Sequence, residues 1–261
     1  MEKQFGGGLN FLATYTYSKV RTDAGDLLNG GSTAGFRAPD VVGAGIKYDY
    51  GLASFDIRNV FHLSGGYELP FGKGKRFLAN GSAVASRIFG GWSINATGVL
   101  QGGQPITLSC PDGTAAGTGC YDLIVPGQSQ KRGLHTDSNG RLSFFGNPGA
   151  FSEPAKCTAS PCPLSTLGGP PTQITGVPFK RLDFSTFKDM RLTERFLLQF
   201  RAEFFNILNH PNFNNPGFGG NGVVAISGST NYLNSNFGEI GSTRDAPYDP
   251  RQIQFALKLY Y

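Results

Sequence analysis

Hydrophobic and polar side chains alternate with a period of two in six separate segments, the repeat of a strand with one apolar and one polar face. In the first, Leu9, Phe11, Ala13, Tyr15 and Tyr17 oppose Asn10, Thr14, Thr16 and Ser18, with Leu12 as the exception. The second sets Phe55, Ile57, Phe61, Leu63, Tyr67 and Leu69 against Asp56, Arg58, His62, Ser64 and Glu68. The third sets Trp92, Ile94, Ala96 and Leu100 against Ser93, Asn95, Thr97 and Gln101. A weaker fourth places Leu182 and Phe184 against Asp183 and Ser185 and loses its alternation at Phe187. In the fifth, Phe196, Leu198, Phe200, Ala202, Phe204 and Leu208 oppose Arg195, Gln199, Arg201 and Glu203. The last sets Ile253, Phe255, Leu257, Leu259 and Tyr261 against Gln252, Gln254 and Lys258.

The strong segments exceed the usual strand of about 5 or 6 residues and reach the ~9 to 11 with which a tilted strand crosses a bilayer. Their polar faces carry Arg, Glu, Asp and Lys, which suits a wet surface. Their apolar faces end in Tyr15 and Tyr17, Tyr67, Trp92 and Tyr261, rings that favour a lipid-water boundary. Long loop-forming stretches run from about Lys19 to Ser54, Ser109 to Arg181 and Asn209 to Pro250. The others are shorter: Pro70 to Gly91, and a tight turn around Arg191-Leu192-Thr193-Glu194. Loops long on one side and short on the other are those of outer-membrane barrels. The pattern predicts an all-β fold: one section of an antiparallel transmembrane β-barrel, about six long strands, incomplete as a barrel, with long extracellular loops. Six strands cannot close alone, because single-chain barrels start at about eight and an open edge in lipid strands unpaired backbone groups.

Composition agrees. The 38 Gly and 16 Pro disfavour helix throughout, and the 22 Phe and 10 Tyr are a β-rich signature. No run of ~18 apolar residues exists, so a membrane-spanning helix is excluded, whereas strands apolar only at alternate positions are not. The net charge of +5 is spread over turns and strand ends, so solvated Lys and Arg are expected and no nucleic-acid partner. Residues Met1 to Gly8 hold no apolar core, so an export signal is expected upstream. Cys110, Cys120, Cys157 and Cys162 all lie in one loop-rich region. Of three possible pairings, Cys110 with Cys120 and Cys157 with Cys162 closes two small loops and ranks first, in an oxidising compartment. Their spacing does not fit zinc.

Three separated stretches bear a family likeness. They are Phe237-Gly238-Glu239-Ile240-Gly241-Ser242-Thr243-Arg244 with Asp249-Pro250-Arg251 and the closing segment; Leu198 to Asn206 with Asn209-His210-Pro211-Asn212-Phe213; and Tyr67-Glu68-Leu69-Pro70-Phe71-Gly72-Lys73-Gly74-Lys75. In this order they resemble the C-terminal part of Oar-like TonB-dependent outer-membrane transporters, over nearly all of residues 1–261. The resemblance implies a Gram-negative outer-membrane location, a periplasmic C-terminus, and long loops outside the cell. It implies as partners the outer-membrane lipid, the rest of the barrel and its plug, and the TonB energy-coupling complex reached through that plug. A plug and an N-terminal carboxypeptidase-regulatory-like domain have no counterpart here. Phe255, Leu257, Leu259 and Tyr261 resemble the signal that barrel-assembly machinery reads.

Catalytic chemistry is not signalled. His62, His135 and His210 fit no H-E-x-x-H, and no G-x-S-x-G occurs. Gly217-Phe218-Gly219-Gly220-Asn221-Gly222 matches G-x-G-x-x-G without a helix to open, and Lys73-Gly74-Lys75-Arg76 lacks Walker spacing. Asp183 and Asp189 are too far apart along a strand to work as a glycosidase pair. No enzyme, cofactor or metal site is expected. Arg195, Arg201 and Glu203, with Lys258, are candidates to line a lumen, as a charge ladder or as a selectivity element. The run Asn206, Asn209, Asn212, Asn214 and Asn215 is explained by turn-forming asparagine, a surface ligand contact being the other option. The alternative reading of the whole chain is a secreted soluble β-sandwich acting in adhesion or carbohydrate binding, whose apolar faces would pack against each other.

Overall fold

The structure, a computed structural model, describes residues 2–4, 7–23, 50–106, 108, 121–130, 132–138, 140–145, 147–170, 174–216, 238–244 and 250–261. Cys110, Cys120 and the glycine-rich motif at 217–222 lie outside the described residues.

Seven strands form one sheet in chain order: β1 (Glu2–Gln4), β2 (Leu9–Tyr17), β3 (Asn59–Glu68), β4 (Trp92–Gln101), β5 (Phe179–Arg191), β6 (Leu197–Phe205) and β7 (Gln252–Tyr260). Every neighbouring pair is antiparallel. The six long strands are those that the alternation predicts. Three segments differ in their bounds; the fifth is strand only over Leu197–Phe205, which leaves Arg195, Phe196 and Leu208 outside it. The second segment becomes strand only at Asn59, because Asp56 is buried and accepts Val20 N–H at 2.8 Å, which ties the preceding residues into the loops. The fourth, weakest on paper, is the longest strand at 13 residues.

Connections segregate by end. The β5–β6 turn at 192–196 is closed by Leu192 N–H to Phe196 O (2.9 Å) and Phe196 N–H to Thr193 Oγ1 (3.1 Å). The β3–β4 connection and the chain's end at Tyr261 lie at this same short-turn end. Between β3 and β4 stands one helix, α1 (Ala83–Phe89), capped by Ser82 Oγ accepting Ala85 N–H at 3.2 Å. It forms where composition disfavours helix: a serine cap and Arg87 in the last turn support two turns. Gly91, at φ +73°, turns the chain from helix into β4, and a Cβ there would strike Asp189 O.

The stretch 109–181, expected as irregular loop, is in part a small folded cap at the opposite end. Pro105–Ile106 pairs with Ile174–Thr175, Leu123–Ile124 with Phe151–Ser152, and Arg132–Thr136 with Leu142–Phe145. Ile106, Leu108, Phe144, Phe145, Ala150, Phe151, Ile174, Val177 and Ile240 make a dry core there. Phe145 packs edge-on against Phe144 and Phe151, with centroids 5.3 and 5.5 Å apart. A disulfide joins Cys157 and Cys162, with Cα atoms 5.5 Å apart.

Candidate functional site

Because directly opposed residues of antiparallel strands share a face, register assigns every side chain of the sheet. One row runs Leu9, Phe11, Ala13, Tyr15 and Tyr17 on β2; Phe61, Leu63 and Tyr67 on β3; and Ile94, Ala96 and Leu100 on β4. It continues through Leu182 and Phe184 on β5, Leu198, Phe200, Ala202 and Phe204 on β6, and Ile253, Phe255, Leu257 and Leu259 on β7. All six apolar faces therefore lie on one side of a single sheet. Phe200 meets Trp92 edge-on (6.5 Å) and stacks with Phe255 (6.2 Å) along that surface, yet Phe255 and Leu257 remain 66% and 68% exposed.

Energy decides what this row touches. Leu9, Tyr15, Tyr17, Leu63, Leu100, Ile253, Phe255, Leu257 and Leu259 are all exposed. They are 38–68% exposed, so about half of the ~1.5–3 kcal/mol that full burial of each large apolar side chain would contribute goes unrealised in water, roughly 7–13 kcal/mol for the row, as much as holds a typical domain together. The solvent on this side is hydrocarbon. Dimensions agree: nine residues of β7 at ~3.3 Å each, tilted by ~40°, rise about 23 Å against an apolar band of about 25 Å. Tyr15 and Tyr17 mark the loop end of the row, and Tyr67, Trp92 and Tyr261 the short-turn end, as two aromatic girdles.

The opposite face is polar. Arg181 Nε donates to Asp183 Oδ1 at 2.9 Å, and Asp183 Oδ1 also accepts Asn206 N–H at 2.8 Å. Arg201 Nη2 donates to Glu203 Oε1 at 2.9 Å, and the Arg201 guanidinium lies 4.7 Å from the Phe187 ring opposite it. Gln199 Nε2 donates to Asp189 Oδ1 at 2.9 Å, and Lys258 stands opposite Gln199. These two charge pairs join residues two apart on one strand. Of the expected lumen residues, Arg201, Glu203 and Lys258 share this face, with His62. Arg195 sits outside the strand, in the 192–196 turn, its N–H donating to Thr193 Oγ1 at 3.3 Å. Asp183 and Asp189 are each engaged by their own partner.

The break at Phe187 is explained by an exchange of faces. Phe187 points to the polar side to cover Arg201, and Lys188 points to the apolar side opposite Trp92 and Phe200. That lysine was missed in the sequence; the lost alternation was its signal.

At the loop end the asparagines act internally. Asn206 and Asn209 take positive φ of 48° and 50°, and Asn206 brackets His210 through both side-chain atoms. Asn212 Oδ1 accepts Lys180 N–H (2.8 Å), Asn215 Oδ1 accepts Val177 N–H (3.0 Å), and Asn214 Nδ2 donates to Ser242 Oγ and Thr243 O. Asn215 thus ties the β6–β7 connection to the cap, Asn212 ties it to β5, and Asn214 joins its two ends. Where cap and sheet meet, Asp56, Arg58, Asn59, Gly103 and Thr175 help line a cavity of about 210 Å³. Inside the cap, Asp122 is fully buried; burial first, and the Glu153 carboxylate second, push its carboxyl up to about 7. Among the described residues no three His, Cys, Asp or Glu side chains form a metal-holding group.

These features define a membrane-spanning antiparallel sheet with one apolar and one polar face and a folded cap at one end. A family model described as outer membrane beta barrel domain matches residues 1–254, and the chain belongs to that family. It is an outer-membrane β-barrel protein. No curated protein and no solved structure matched the chain.

Proposed function

We propose that this chain is the closing wall and mouth of an Oar-like, TonB-dependent outer-membrane transporter. The observation that carries the reading is the division of one sheet into a continuous apolar row and a charged row, with both sheet edges lacking a partner strand among the described residues. An open edge in hydrocarbon leaves backbone groups unsatisfied at several kcal/mol each, so further strands complete the barrel. The three motif stretches resembling Oar-like transporters support the rest: a plug inside the barrel, energy from the TonB complex, and recognition by barrel-assembly machinery through Phe255, Leu257, Leu259 and Tyr261. In this reading the Arg201–Glu203 and Arg181–Asp183 pairs and Lys258 line the lumen, the short-turn end is periplasmic, and the cap meets an unidentified solute outside, carried inward or outward. No chemical turnover is involved.

An antibody raised to the cap tests it on outer membranes of the native organism. The reading expects a heat-modifiable band well above a 261-residue chain, retained from detergent extracts by the purified periplasmic domain of TonB. A large band that TonB does not retain rejects energy coupling, and a band at chain length rejects the larger barrel.

A further inference from the structure

The β3–β4 connection is longer than barrel turns of the short side normally are, and it has a structure of its own. Phe77 N–H donates to Pro70 O (3.0 Å) and Gly72 N–H to Phe77 O (2.9 Å), while the Phe71 and Phe77 rings pack 5.6 Å apart. Helix α1 follows. Its C-terminal carbonyls are fastened to the hydrocarbon side of the wall: Lys188 Nζ donates to Ile88 O and Gly90 O at 2.8 Å each, and Trp92 Nε1 donates to Ile88 O at 3.0 Å. The same ammonium lies 4.9 Å from the Trp92 ring. Lys188 is only 7% exposed, on a row that is mostly apolar and carries Lys180 at its other end. A cation in that position needs a local partner, and the negative end of α1 supplies it. The lysine's role in the fold is to hold this segment against the outside of the barrel.

What the segment then presents outward is amphipathic. Val84, Ile88 and Phe89 are 67%, 54% and 54% exposed, adjoining the girdle of Tyr67 and Trp92. Residues 69–91 also contain Lys73, Lys75, Arg76 and Arg87 and no acidic residue, and Lys75 pairs with Glu68 at 2.8 Å. An apolar face with basic flanks is the composition that settles at a lipid interface and attracts anionic headgroups.

We propose that residues 69–91 are a membrane foot. Val84, Ile88 and Phe89 sit in the headgroup-acyl boundary, and Lys73, Arg76 and Arg87 bind the phosphates of anionic phospholipids in the leaflet that already contacts the apolar row. Continuity with that lipid-facing row selects bilayer lipid as the occupant. Placing the foot in the periplasmic leaflet rests on the orientation proposed above.

The test uses the complete barrel, reconstituted from outer membranes into vesicles, with Val84→Trp adding an indole whose signal is read as the difference from the parent barrel. Quenching by brominated phosphatidylglycerol is compared with quenching by brominated phosphatidylcholine. The added indole is expected to emit as in an apolar medium, to be quenched by both lipids, and to prefer phosphatidylglycerol. Reversing Lys73, Arg76 and Arg87 to Glu is expected to weaken that preference by about fivefold per charge. Neutralising them to Gln should reduce it less, with heat-modifiable migration showing that both variants keep the barrel fold. A water-like emission with no quenching overturns the foot, and equal quenching by the two lipids in the parent overturns the headgroup assignment. The orientation is separable: a protease site inserted between Asn80 and Gly81 that is cut in intact cells rejects the periplasmic placement while the quenching result stands.

Discussion

The sheet and the cap solve the same problem in opposite directions. In the cap, Phe151, Ile106, Leu108 and Ile174 point inward and are removed from water by other protein. In the sheet, Phe255, Leu257 and Leu259 point outward, and the charged Arg201–Glu203 pair points the other way. Both regions are rich in Phe, Leu and Ile, so composition alone does not separate them. What separates them is the solvent. A wall between hydrocarbon and a wet lumen is stabilised with its apolar groups outside, whereas a cap surrounded by water must fold around its own core.

Substitutions that exchange the two environments break this contrast. The largest effect is expected for Phe151→Ala, which empties the cap core at a cost of about 3–5 kcal/mol. Hydrogen exchange should show the cap opening while the sheet stays protected. A comparable effect follows from pH. Asp122 ionises near 7 when folded and near 3.9 when unfolded, so the folded cap holds its proton over a range in which the unfolded cap has lost it. Cap stability is therefore full below about pH 4 and falls as pH rises to about 7, by up to about 4 kcal/mol. Asp122→Asn should flatten this dependence, and Glu153→Gln should shift it to lower pH; cap-specific exchange at pH 5 and pH 8 measures both.

On the sheet, Leu257→Arg puts a charge at mid-height of the apolar row and should cost about 2–4 kcal/mol in folding from urea into vesicles. Arginine in place of the polar-face neighbour Lys258 should be nearly neutral in the same assay. A smaller destabilisation than that of Leu257→Arg is expected for Cys157→Ser with Cys162→Ser. Opening this loop, with a sequence separation of 5, should lower cap stability by about 2 kcal/mol and leave insertion of the sheet unchanged.

The wall was legible in the sequence because its physics is periodic. A nine-residue strand such as Gln252–Tyr260 repeats the choice between hydrocarbon and water often enough to be read without its neighbours. The cap was not legible, because its strands are two to five residues long and their partners are distant: Leu123–Ile124 pairs with Phe151–Ser152, and Ile240 joins the core from the β6–β7 connection. Two residues carry no period to announce burial. Phe187 and Lys188 misled for a third reason: each sits on the face opposite to its polarity because a specific partner, Arg201 or the C-terminal end of α1, is waiting there. Such a pairing is visible only once strands are in register. Among the lumen candidates, Arg201, Glu203 and Lys258 could be placed from parity, while Arg195 could not, because the strand begins two residues after it, at Leu197.

The central claim is that every second side chain along the wall is solvated by hydrocarbon. Nitroxide labels placed one at a time from Gln252 to Tyr260, in vesicles, measure it through the accessibility of each label to oxygen and to a water-soluble nickel complex. The account predicts a period of two, with positions 253, 255, 257 and 259 open to oxygen and closed to nickel, and 254, 256 and 258 the reverse. Uniform nickel accessibility, or a row closed to both reagents, would contradict it.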